Sequence, residues 1–254
     1  MLFSPHFSPL FSAWIFHENN NRSNNMASEK KTVKLLVVLG SPREDGATAC
    51  MAEHLVQGVR DACTKRGVAL EAKPTVRLFA HDIKLCAKCM ECTKRKTLPS
   101  CVVDDDMRAI MTDILDADII VHAMPVWYWT MPGLMKVYME RWSQLFALPT
   151  LTLRDDAKAA MRGTVMTALA CSGDPDHSTM CADALRPWQR LAELVPDTFR
   201  WAGAVSASVS VRHDPDAQKR CYGLGETCVD LFFQPMPKCT IATPVAPFHK
   251  PTFC

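Results

Sequence analysis

The segment that most restricts the fold of this chain runs from Val33 to Gly67. Val33–Leu39 is an apolar run broken only by Lys34, with basic residues before it and Gly40 after it. A strand buried on both faces reads this way, whereas a half-exposed strand would alternate. Ala47 to Lys65 follows, with Met51, Leu55 and Val59 recurring every four residues and Gly67 closing the pattern, as in an amphipathic helix with its stop. A buried strand, a glycine-bearing loop and a helix in succession predict a parallel sheet, because a parallel partner is reached only through a crossover.

The remaining chain repeats this alternation. Val76–Phe79 reads as a short second strand, and Asp118–Met124, Gly163–Ala170 and Arg200–Val211 as the next three. Met107, Ile110, Met111, Ile114 and Leu115 form an apolar helical stripe, with Asp104, Asp105 and Asp106 as capping acids before it. Leu134–Phe146, His177–Leu194 and Ala217–Phe233 read as further helices, the second kinked at Pro187 and the third broken by its glycines. The expected class is α/β: a doubly wound, five-stranded parallel sheet with helices on both faces.

A chain of 254 residues suits one substantial core with tails. The expected division is a disordered tail at 1–30, one domain at 31–234 and an irregular, proline-bearing tail at 235–254. Phe7–Phe16 is apolar but carries Pro9, lacks a basic flank and leads to no cleavage site, so it is a poor signal peptide. Met26-Ala-Ser-Glu-Lys30 reads like a natural start, with a short organellar presequence as the alternative. A net charge of +2 without a basic stripe argues against nucleic acid as partner. No apolar run approaches the roughly 20 residues that span a bilayer. Twelve cysteines without an export signal fit a reducing, cytoplasmic setting.

Four segments carry candidate chemistry. Gly40-Ser-Pro-Arg-Glu-Asp-Gly-Ala-Thr48 offers two glycines, the hydroxyls of Ser41 and Thr48, the cation Arg43 and the amides of a helix start, all suited to a phosphate. It is neither G-x-G-x-x-G nor a Walker lysine loop, and a plain strand–helix turn is the bland alternative. Pro125-Val-Trp-Tyr-Trp129 puts three aromatics at a strand end, where they can stack on a flat ring, plug a core or meet a second subunit. Cys171-Ser-Gly-Asp174 supplies small polar groups, as ordinary turns also do. Cys86-Ala-Lys-Cys-Met-Glu-Cys92 with Cys101 can wrap thiolates around one inorganic centre; zinc and free thiols are the alternatives. The other eight cysteines are scattered, and they read as core residues or free thiols. His122 reads as a packed histidine, and Met107, Met111, Met131 and Met135 as core filling.

From Lys34 to Val211 these motifs resemble the flavodoxin-like flavoproteins, in particular their NADPH-dependent FMN reductase and iron–sulfur flavoprotein branch. Gly40–Thr48 matches that branch's G-S-P-R-x-x-G-x-T loop. Pro125–Trp129 with Lys136 and Arg141 resembles its aromatic loop and following helix, and Cys101–Met107 its Cys-Val-x-Asp-Asp-Met element. The resemblance implies strand order 2-1-3-4-5. It also implies FMN, with Ser41, Arg43, Gly46, Ala47 and Thr48 on its phosphate. Pro125, Val126, Trp127 and Tyr128 would meet the isoalloxazine, with Ser172 and Gly173 on the third side. NAD(P)H is then the co-substrate, a small molecule or redox protein the acceptor, and a homodimer or homotetramer the assembly. In the iron–sulfur alternative, Cys86, Cys89, Cys92 and Cys101 hold a [4Fe–4S] cluster and the protein is an electron carrier. A non-catalytic interaction module on the same fold is the third reading. Trp-Tyr-Trp departs from the family's usual Tyr-Trp or Tyr-Phe and leaves open which ring stacks.

Overall fold

The computed structural model describes residues 31–147, 152–174 and 177–236. The expectations for residues 1–30 and for the tail from residue 237 onward fall outside these. In chain order the elements are β1 (Thr32–Leu39), α1 (Ala47–Lys65), β2 (Ala69–Ala72), β3 (Val76–Arg77), α2 (Met107–Asp116), β4 (Ile119–Pro125) and α3 (Gly133–Glu140). There follow β5 (Phe146–Ala147), β6 (Thr152–Leu153), α4 (Asp155–Met161), β7 (Thr164–Ser172), α5 (His177–Leu194), β8 (Phe199–Ser208) and α6 (Pro215–Phe233). The main sheet runs β2-β1-β4-β7-β8, every pair parallel, and β3 continues along the β2 side of β1.

Counting β2 and β3 as one interrupted edge strand gives the expected 2-1-3-4-5 order. The second strand nevertheless begins earlier than its sequence suggests. Lys73 N still donates to Leu35 O at 2.9 Å, but Pro74 has no N–H to continue the ladder, which resumes at Val76. Leu78–Ala80 is a 3-10 turn and not strand. The fifth strand ends at Ser208, with Val211–His213 as a separate 3-10 turn, and the third helix ends at Glu140 in a 3-10 turn. The small β5–β6 hairpin and α4 were not anticipated. Lys34, the single charge in β1, sits near its start and reaches Asp116 at 2.6 Å.

Two apolar layers sandwich the sheet. One packs α1 and α6 over Leu35, Val37, Val121 and Leu169; the other packs α2, α3, α4 and α5 over Leu36, Val38, Ile120 and Met166. Strands β4 and β7, buried almost throughout, therefore read as mainly apolar runs, interrupted by His122 in β4 and by Thr164 and Thr167 in β7. Helix α5 runs through Pro187 as one helix, and α6 runs through Gly223 and Gly225 without a break. The glycines serve contact instead. A Cβ on Gly58 would lie 2.0 Å from Tyr222 O, and one on Gly225 would lie 2.1 Å from Leu55 O. Helices α1 and α6 thus touch backbone to backbone. Arg200 of β8 ends α6 by donating to the carbonyls of Phe232 and Gln234, at 3.3 and 2.8 Å.

His122 faces the second layer. Its ring stacks on Trp188 at 3.6 Å between centroids, and the Tyr138 hydroxyl lies 3.4 Å from Nε2. Burial lowers its pKa from 6.5 to about 3, so it is a neutral core residue. Met107, Met111, Met131 and Met135 are likewise buried.

Two measurements check this packing. Gly58→Ala or Gly225→Ala should cost at least about 1–3 kcal/mol in denaturant unfolding, because backbone must move. Gly223→Ala, with nothing within 4 Å of its Cβ, should be neutral or stabilising; equal losses at all three would refute the close approach. On acidification the unfolded chain protonates His122 near pH 6.5 while the fold resists down to about 3. Stability should therefore fall through that window, by up to about 1.4 kcal/mol per pH unit from this group. His122→Phe should flatten the slope of unfolding free energy against pH.

Candidate functional site

Three of the four segments meet at the carboxyl ends of neighbouring strands, joined by backbone hydrogen bonds. Gly40 N, after β1, donates to Ala123 O of β4 at 2.8 Å. Val126 N, after β4, donates to Cys171 O of β7 at 2.7 Å, and Val209 N, after β8, donates to Ser172 O at 2.9 Å. Ligands of doubly wound sheets bind at this edge, outside the strand ends.

The first segment folds back on itself: Arg43 N donates to Ser41 Oγ at 3.3 Å. Ser41, Ala47 and Thr48 are buried, whereas Arg43, Glu44 and Asp45 are exposed. Gly40 lies close under α3: a Cβ there would be 2.7 Å from the Met135 Cε, so the end of that side chain would have to shift. Gly46 is the N-cap of α1 and supplies no side-chain cap, and the first turn contains no acid. Its amides and dipole therefore suit an anion. The burial that raises the Cys171 pKa to about 11 is opposed by Arg43, which carries its charge toward the end of β7.

The second segment is a tight reversal. Trp127 N donates to Thr130 O at 3.0 Å and Thr130 N to Trp127 O at 3.2 Å. Tyr128 and Trp129 between them have φ of 49° and 63°, the left-handed pattern of a type I′ turn that usually takes Gly, Asn or Asp. Trp127 is 43% exposed and meets Phe79 edge-on at 5.9 Å, Tyr128 is 91% exposed, and Trp129 is 62% exposed. Pro125 and Val126 remain against the sheet, while Tyr128 stands at the tip of the turn. In the third segment Ser172 Oγ accepts from Asp174 N at 3.1 Å, and nothing lies within 4 Å of a Cβ built on Gly173.

The cysteine segment lies apart from these, around a cavity of about 470 Å³ lined by Cys86, Cys89, Cys92 and Cys101 together with Arg141. Arg141 is buried and grips Asp105 with both guanidinium ends, Nη2 to Oδ1 at 3.0 Å. It also donates to Lys84 O at 2.7 Å and to Cys101 Sγ at 3.3 Å. Burial pushes the Asp105 pKa up, but the bonds from Arg141 and from the Lys84 and Met107 amides outweigh it and hold it below 3.8. Arg154 ties the far side of the loop through Cys92 O and Arg95 O, at 3.1 and 3.0 Å. Asp105 also caps α2, accepting from Met107 N at 3.1 Å; its ion pair with Arg141 is invisible to local pattern. Lys136 pairs with Glu140 on the surface of α3.

The described cysteines form no disulfide. Among the described residues no three His, Cys, Asp or Glu side chains are grouped to hold a metal ion, so the donor set does not fit the iron–sulfur cluster that the spacing allows. Burial first, then Cys101, Cys86 and Cys89, push the Cys92 thiol up. Six other described cysteines are buried, and burial raises Cys181, Cys221 and Cys228 to about 12, which makes them core filling. Cys239 and Cys254 lie outside the described residues.

The NADPH-dependent FMN reductase family profile matches residues 33–203, two thirds of the chain. The chain belongs to that family. An NAD(P)H-dependent flavin oxidoreductase is therefore the activity class. A curated relative from Bacillus subtilis (strain 168), YwqN, is 29% identical over 146 residues, covering 56% of this chain and 68% of its own. Its name describes an NAD(P)H-dependent FMN-containing oxidoreductase. Among solved structures, an oxidoreductase from Corynebacterium diphtheriae superposes with TM-score 0.53 at 19% identity, over 80% of this chain and 98% of that one. An FMN-dependent NADH-azoreductase from Bacillus anthracis, solved with FMN, gives 0.51 at 13% identity over 80% and 100%. These two similarities support the flavodoxin-like fold. No helix among the described residues is long and apolar enough to cross a membrane.

Replacing Arg141 by Met leaves Asp105 buried without its counter-ion. Denaturant unfolding should show a loss of about 3–5 kcal/mol, much of it recovered when Asp105→Leu is added. Equal losses in the single and double variants would show that the pair does not hold this loop.

Proposed function

We propose that the three joined strand ends hold FMN, and that the protein uses it to carry electrons from NAD(P)H to a second acceptor, a small molecule or a redox protein. The observation that carries this reading is the row of backbone bonds from Gly40 through Ala123, Val126 and Cys171 to Val209, which gathers the three segments on one edge. Ser41 and Thr48 hydroxyls, the first amides of α1 and Arg43 bind the phosphate; charge-assisted bonds of this kind are the strong ones. Pro125, Val126 and Trp127 offer an apolar wall and backbone edge to the ring, with Tyr128 closing from the turn. Ser172 and Gly173 leave room on the third side. Bound FMN supplies the redox chemistry, taking hydride from NAD(P)H and releasing electrons to the acceptor. The protein binds, orients and excludes water, and no side chain is assigned as acid or base.

Assembly as a homodimer or homotetramer fits the exposed aromatic turn, since large apolar faces left in solvent mark contact surfaces. The electron-carrier reading with a cluster has no support in the cysteine cavity, and an interaction module without flavin accords poorly with an intact phosphate loop.

Purified protein reconstituted with FMN should show flavin absorbance that bleaches on adding NADPH. A protein that stays colourless after FMN is added would overturn the reading. The pair Arg43→Ala, Thr48→Ala should weaken FMN binding about 10- to 100-fold with the melting temperature little changed. Unaltered affinity in flavin-fluorescence titration would remove the loop from the site.

A further inference from the structure

We infer that Arg212 is a positioning residue of the cofactor-phosphate site, clasping the Gly40–Thr48 loop from the side opposite β3. The inference rests on the reading above that this loop takes the FMN phosphate. Arg212 lies in the 3-10 turn between β8 and α6, beyond residues 33–203 that the family profile matches. Its Nη2 donates to the carbonyl of Asp45 in the loop. On the other side Arg77 of β3 pairs with Glu44. Two successive loop residues are therefore each held by a guanidinium from a different element.

The turn that carries Arg212 is itself well fixed. Val211 is fully buried, and Gln218 Nε2 donates to Val211 O and Arg212 O at 2.9 and 3.0 Å. Asp214 caps α6 by accepting from Ala217 N at 3.0 Å, and Val209 N is bonded to Ser172 O. Arg212 thus reaches the loop from a backbone locked to both α6 and the end of β7. Among the described residues its guanidinium meets a carbonyl and no carboxylate, so its charge is left uncancelled beside the loop. The Cys50 thiol, in the first turn of α1, feels that charge: burial raises its pKa and Arg212 opposes the rise. A guanidinium has five N–H donors, and a carbonyl engages few of them. Arg212 therefore holds the loop's shape while contributing positive potential where the phosphate sits.

Riboflavin separates this role from a general one, because it is FMN without the phosphate. FMN and riboflavin are titrated by flavin fluorescence into the wild-type chain, Arg212→Ala and Arg212→Lys, with thermal melts of all three. Wild type should bind FMN more tightly than riboflavin. Arg212→Ala should lose about tenfold or more in FMN affinity and nothing for riboflavin, with Arg212→Lys recovering part of the loss. Unchanged FMN affinity in Arg212→Ala, or equal weakening for both flavins, would overturn the inference. A wild-type chain that does not distinguish FMN from riboflavin would overturn the phosphate-loop reading itself, and that outcome is visible before any variant is made.

Discussion

Helices α1 and α6 touch through their backbones at Gly58 and Gly225, and the geometry of the candidate site follows from that contact. An ordinary side chain at either position would push the helices apart. With them close, α6 covers the same sheet face as α1, and the 3-10 turn before α6 comes down beside the loop before α1. One helix pair therefore fixes both walls of the proposed anion site. Surface pairs such as Lys65–Glu226 and Arg66–Asp230, at 2.6 and 2.7 Å, decorate this contact and add little, being exposed.

The opposite face solves a different problem. The long connection from β3 to α2 has no sheet to satisfy its polar backbone, and such a segment is ordered only if side chains supply the partners. Three arginines do so, one of them Arg108 of α2, whose Nη2 donates to Cys101 O at 3.0 Å. Arg141, anchored by Asp105, takes the Lys84 carbonyl and the Cys101 sulfur; Arg154, anchored by Asp156, takes the carbonyls of Cys92 and Arg95. Gln144 adds its side-chain oxygen to the amides of Ser100 and Cys101, at 2.8 and 3.1 Å. This staple brings four thiols to one cavity without grouping three of them around a point. The compact C-x2-C-x2-C spacing is necessary for a cluster but does not by itself bring about convergence.

Much of the fold was legible because its signals are local. The apolar runs of β1, β4 and β7 and the stripe of α2 are properties of neighbouring residues, and the strand order followed from a resemblance carried by three loops. The misreadings share one cause. The glycines of α6 read as a break from their own chemistry, but tertiary packing overrides that preference: α6 uses Gly225 to approach α1. Pro74 acted where its effect was not weighed, by dividing the second strand. Asp105 does cap α2, accepting from Met107 N at 3.1 Å, but its ion pair with Arg141 lies 36 residues away in sequence and leaves no local sign. Arg212 had no motif at all. Its contact with Asp45 exists only once β8 and α6 have been placed, and no spacing rule reaches that far.

The aromatic turn makes the same point from the energetic side. Tyr128 and Trp129 occupy left-handed backbone positions that disfavour side chains by about 1–2 kcal/mol each. Their rings are also largely in solvent, so they return little apolar burial to the isolated chain. Glycine or asparagine would make the same hairpin at lower cost, and folding stability alone would favour them. Two large rings in strained, exposed positions at this edge of a doubly wound sheet are placed to make contacts outside the chain's own core. The flavin ring and a second subunit are both flat or apolar enough to provide them. Trp127 is the least exposed of the three, with one edge already against Phe79, and so is the ring whose position is set before any ligand arrives. On the proposed reading it is the fixed part of the flavin wall, and Tyr128 and Trp129 at the tip are the part that contact completes.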